Sequence, residues 1–132
     1  MKKLFALVAV LMFASSIDAI AHHSFAAVYD AEKPMTVKGK VTKVEWMNPH
    51  IHFFVDVAEP SGKVTNWTIE GGTPNQLYRR GWKRDSLKVG QVVTVDGFRS
   101  RTPTHFALNG RNVTLDNGTK LFSGSNDGAP SR

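Results

Sequence analysis

The chain reads as an all-β domain with one short helix, a five-stranded OB-like Greek-key barrel. Two observations predict it. Three alternating, strand-like stretches precede a Thr-Pro helix start and two follow it. The first stretch is long and changes phase midway, as a strand bent around a closed sheet must. No internal repeat and no second domain interrupt the 132 residues, which suit a single core. An open sandwich with the same strand order is the alternative.

Met35 to Trp46 opens the pattern. Val37, Gly39 and Val41 share one parity, and Val44 and Trp46 fall on the other, so a bulge or bend lies between them. Gly39 permits close approach of a neighbouring strand. Asn48-Pro49 ends the stretch, because proline removes a ladder donor and restricts the residue before it. His50 to Ala58 alternates again: Ile51, Phe53, Val55 and Val57 take the buried face, and His50, His52, Phe54 and Asp56 point away from it. Glu59-Pro60-Ser61-Gly62-Lys63 is a dense turn signal, and Val64 to Glu70 completes a hairpin with Trp67 and Ile69 on one face.

After Gly71-Gly72, Thr73 caps a helix with Pro74 at its first position, and Asn75 to Arg80 make one or two turns closed by Gly81. A basic linker and a turn at Asp85 to Gly90 lead into the strand Gln91 to Phe98. The last strand runs from His105 to Leu115, with Asn109-Gly110 marking a bulge or tight bend, and Asp116-Asn117-Gly118 is a turn. The barrel is therefore expected over residues 35–122. Residues 22–34 have no sustained period and read as an arm pinned across the domain by Phe25, Val28 and Tyr29. Residues 123–132, small and polar, read as a disordered tail.

The amino terminus has a different character. Lys2-Lys3, the apolar run Leu4 to Phe13 and Ala19-Ile20-Ala21 have the form of a signal peptide over residues 1–21, too short to span a bilayer comfortably. Cleavage after Ala21 leaves a chain that begins His22. With no cysteine there is neither lipid attachment nor a disulfide, so the expectation is a periplasmic or secreted monomer without a transmembrane anchor. The formal charge of +6 favours anionic partners through a long-range field without specifying one, and an exported protein rarely meets nucleic acid.

Four of the five histidines fall in two short pairs, His22-His23 and His50-x-His52. An amino-terminal histidine offers its amine and its ring as a chelate. One further imidazole completes a three-nitrogen, T-shaped copper brace, and Cu(II) favours tetragonal nitrogen sites. On this reading His22 gives amine and ring, His50 gives the third nitrogen, and His23 or His52 completes or supports the site. Zinc is the chief competitor, since His-x-His on a strand suits it and Asp56 or Glu70 could join, and geometry separates the two metals. Met35 and Met47 could assist Cu(I). The bland alternative is no metal, with His50 bonding its turn and His22-His23 leading a loose start; His105 is assigned no role.

Arg79, Arg80, Lys83 and Arg84 surround Trp82, a basic and aromatic grouping able to hold an anionic ligand or an envelope protein partner; Phe54 and Trp46 could add stacking positions. The competing role for Trp82 is to cover the barrel end. Catalysis is not expected. Ser24 beside His22 and His23 lacks the surroundings of a hydrolase, Asp56 and Glu70 are outward acids of a hairpin, and the chain offers too little platform for a copper monooxygenase.

The start His22-His23-Ser24-Phe25, the Gly39-Lys40-Val41 to Asn48-Pro49-His50 segment, and Arg79-Arg80-Gly81-Trp82 followed by Asp85-Ser86-Leu87 resemble exported bacterial proteins of domain-of-unknown-function family 6152. His22, His23 and His50 match its pattern. The resemblance implies a small secreted β-barrel-like domain and carries no established activity.

Overall fold

The computed structural model describes residues 25–124. Among the described residues the elements from Tyr29 onward are, in order, β1 (Tyr29–Glu45), β2 (His52–Ala58), β3 (Val64–Glu70), α1 (Pro74–Arg79), β4 (Val92–Ser100), β5 (Ala107–Leu115) and β6 (Lys120–Phe122). Antiparallel neighbours run β3-β2-β1-β4-β5, and a parallel pairing of β3 with β5 closes these five strands into a ring. With α1 between β3 and β4, this is the OB-like barrel.

Bending of β1 follows from its phase change. Val41 pairs with Val55 and Lys43 with Phe54, so Thr42 is an extra residue that flips parity, and Val37 and Val41 before it and Val44 after it all pack on the core. Gly39 lets β2 approach: a Cβ there would lie 2.1 Å from the Asp56 carbonyl oxygen. The core inside the ring includes Val37, Val41, Ile51, Phe53, Val55, Trp67, Ile69, Val95, Leu108 and Val113. Thr73 caps α1, its hydroxyl accepting from the Gln76 N–H at 3.3 Å, and Gly81 ends the turn with φ +89°.

Three expectations need correction. The first strand starts at Tyr29 rather than Met35, because Tyr29 pairs with Ser100 before an irregular stretch re-registers at Pro34 opposite Phe98. Phe25 and Tyr29 do pin the arm, in a second small cluster with Phe98 and Ala107, whereas Val28 is exposed. Arg101 replaces it as a fastener, its Nε donating to the Ala26 carbonyl at 2.7 Å. Beyond the Asn117-Gly118 turn the chain forms β6 against β5, and Ser123 is fully buried, its carbonyl accepting from Gly72 N–H at 2.7 Å. A segment too polar to look like core is thus held by backbone pairing. Residues 125–132 lie outside the described residues.

Candidate functional site

His50 lies between the cis Asn48–Pro49 peptide and β2. Its position is set by Ile51, which is fully buried and extends the hairpin ladder: Ile51 N–H donates to Gly72 O at 3.0 Å and Gly71 N–H to Ile51 O at 2.9 Å. The His50 ring therefore stands beside the end of β3. Its Nδ1 is 2.8 Å from Glu70 Oε1, and the other carboxylate oxygen of Glu70 accepts from the Tyr29 hydroxyl at 2.7 Å. Phe25 backs the tyrosine, their ring centroids 5.8 Å apart.

This Tyr29–Glu70–His50 chain is largely withdrawn from solvent. Burial pushes the Glu70 carboxyl up, but hydrogen bonds from His50 and Tyr29, with the charges of His50 and His52, outweigh it and hold the group below its usual range. Burial, followed by the charge and hydrogen bond of Glu70, pushes the Tyr29 hydroxyl far above its usual value. Glu70 is therefore an anion that accepts from both sides. Because an ionised carboxylate only accepts, Nδ1 of His50 is a donor, and in the neutral ring the lone pair is on Nε2. That tautomer is the one a metal ion or a proton acceptor role at Nε2 requires.

His52 faces Glu70 across the β2–β3 register and contributes through its charge. On the other side of Glu70 the parallel register places Asn109, only 2% exposed, whose Oδ1 has no hydrogen-bond partner among the described residues. His22 and His23 lie outside the described residues. Among the described residues no group of three or more His, Asp or Glu side chains is placed to hold a metal ion.

Sequence reasoning missed Tyr29 and Asn109 as companions of the site. The buried position of Asn109 beside Glu70 depends on the parallel β3–β5 pairing, which no local pattern reveals. Asp56 is remote from Glu70: it stands opposite Asn66, four residues along β3, and accepts from the Asn66 amide at 2.7 Å. His105 is exposed on the loop before β5. Met35 packs at the edge of the core and Met47 is 53% exposed.

The basic grouping is divided. Trp82 is 1% exposed, its Nε1 donates to the Phe122 carbonyl at 3.0 Å, and its ring lies 6.3 Å from Trp46. It closes the barrel end and presents no face for stacking a ligand. Arg79 and Arg84 are exposed, while Arg80 turns toward the tail, donating to Gly124 O at 2.9 Å. Phe54 is half-buried with the Lys43 ammonium 5.4 Å from its ring centre.

Residues 9–109 match the family of unknown function DUF6152. The chain belongs to that family. The match spans His50, Glu70 and Trp82 and stops before Arg111 and β6. Among solved structures the chain is similar to the dimeric N-terminal domain of PriB protein from Thermoanaerobacter tencongensis, at 23% identity and a TM-score of 0.44, covering 64% of this chain and 96% of that one. No curated protein matches it.

Proposed function

We propose that the protein is an exported, non-enzymatic metal-binding protein that holds Cu(II) between a mature amino-terminal His22 and the His50 ring, for metal handling or delivery. One observation carries the reading: Nδ1 of His50 is committed to Glu70, which Tyr29 holds in turn. A metal-ligating imidazole characteristically gives its second nitrogen to a carboxylate, which fixes ring direction and raises basicity. Here the supporting carboxylate has its own buried support.

The contacts at the base of the arm support this pairing. His22 is three residue steps from Phe25, a span of up to about 10 Å. Phe25 rests on Tyr29, whose hydroxyl is on the same carboxylate as His50. His23 and His52 would then complete or support the nitrogen set. Zinc uses the same donors in a tetrahedral arrangement, while an amine and two imidazoles suit tetragonal copper. Loading would follow export, since the amine exists only after cleavage. Binding should weaken in acid as the amine, with pKa ~8, and the imidazoles, near ~6.5, take up protons.

Calorimetry of correctly processed protein with Cu(II) tests this against a version carrying one extra residue before His22 and against His50→Ala. Both changes should weaken binding, and spin resonance of the loaded protein should show a nitrogen-rich tetragonal copper. Equal affinity in all three proteins removes the proposal.

A further inference from the structure

At the barrel end that Trp82 closes, large side chains stand together in the open. The chain leaving β1 supplies Trp46 and Met47, and α1 supplies Tyr78, whose ring meets that of Trp46 edge to face with 5.3 Å between centroids. Trp82, 1% exposed, backs Trp46 from within, their centroids 6.3 Å apart. The support is buried and the front is open. Met47 is 53% exposed and Tyr78 47%, Trp46 is half-buried, and Asn48 and Pro49 beside Met47 are exposed as well.

Cations surround these groups. Arg79 follows Tyr78 at the end of α1, and Lys83 and Arg84 follow Trp82; all three are exposed, and Asp85 is the single acid between residues 78 and 85. Tryptophan and tyrosine join an apolar body to a polar tip, which suits a boundary between hydrocarbon and water, and long cationic side chains can lie along the apolar side while their charge stays wet. A glycan or a small anion would engage the cations and leave Met47 and Pro49 in water. An apolar peptide would cover Met47 and leave the cations unanswered. A surface of anionic phospholipid answers both.

We propose that the Trp46, Met47 and Tyr78 face, with Arg79, Lys83 and Arg84 at its rim, docks the protein on an anionic phospholipid bilayer. The aromatic and thioether groups enter the headgroup region, and the cations meet lipid phosphates. Docking is peripheral, because a handful of side chains gives reversible attachment, and among the described residues no helix is long and apolar enough to cross a membrane. It does not depend on the metal reading. A cation close to such a surface strengthens association about fivefold, whereas charges more than about 8 Å away are largely screened at physiological ionic strength. Position on the barrel, rather than the formal charge of +6, therefore governs binding.

Co-sedimentation of the processed protein with vesicles of phosphatidylglycerol and phosphatidylcholine in equal parts, at physiological ionic strength, tests this. Arg79→Gln with Lys83→Gln should weaken binding about 20-fold, and Met47→Ser with Tyr78→Ser about tenfold. Lys38→Gln with Lys40→Gln removes the same charge from exposed positions in the middle of β1 and should cost less than about threefold. The amino-terminal segment is common to all of these proteins, so the differences report this face. A second readout uses the unsubstituted protein: brominated lipids should quench part of its tryptophan fluorescence. That part should vanish in Trp46→Phe, because Trp67 and Trp82 are only 5% and 1% exposed. The proposal is overturned if the vesicles are not bound, if the two pairs of cations matter equally, if Met47→Ser with Tyr78→Ser binds as the wild type does, or if bound protein shows no quenching. Retention on soluble heparin without vesicle binding would give the face to a polyanion and overturn it too.

Discussion

Glu70 stands 2.8 Å from Nδ1 of His50 and thereby decides which ring nitrogen donates. The same carboxylate is tied to Tyr29 at the base of the amino-terminal arm. Arm, hairpin and candidate ligand are therefore joined through one side chain.

Glu70→Gln keeps the shape and removes the charge. A glutamine amide can donate to Nδ1 and reverse the tautomer, so copper affinity should fall by about 10–100-fold, as for other supporting carboxylates of metal-bound histidines. Calorimetry with the variant measures it. An unchanged affinity would mean that His50 is not a ligand, or that its orientation is fixed elsewhere.

The depressed Glu70 pKa makes a signed prediction for the metal-free protein. Its stabilising contribution is fully present above the ordinary value of 4.5 and is lost as pH falls through the lower folded value. The difference in urea midpoint between wild type and Glu70→Gln should hold constant above the ordinary value of 4.5 and narrow as pH is lowered below it. A difference independent of pH would show that Glu70 is not a paired anion.

Tyr29 shifts the other way. Its raised pKa stabilises the fold below the ordinary phenol value of 10.0, and this contribution is lost as pH rises through the folded value. Tyr29→Phe should cost about 1–3 kcal/mol at neutral pH by leaving Glu70 short of a donor. Chemical denaturation should show that cost shrinking above a pH of about 10.

Trp82→Ala should destabilise the domain by about 3–5 kcal/mol, because it removes an indole from the barrel end and leaves the Phe122 carbonyl without its donor. Retention on heparin by the folded variant should stay unchanged, since the exposed charges of Arg79 and Arg84 remain. Reduced retention at equal folded fraction would return Trp82 to a binding surface.

Gly39→Ala should also destabilise, by about 1–3 kcal/mol, since its Cβ would force β1 and β2 apart. A melting temperature equal to wild type would contradict the close approach.

Period and punctuation by themselves determined most of the barrel: a bulge or bend in β1 between Val41 and Val44, the inward row Ile51, Phe53 and Val55, the Thr73 cap and the outward direction of His50 and His52. These are local properties, written by alternation, proline and glycine within a few residues. The Tyr29–Glu70 bond, the neighbouring Asn109, the burial of Trp82 and the meeting of Trp46 with Tyr78 were decided only by tertiary structure. Each joins residues tens of positions apart or depends on parallel closure. Their partners are selected by which strands become neighbours when the sheet closes, and nearest-neighbour sequence does not encode that choice.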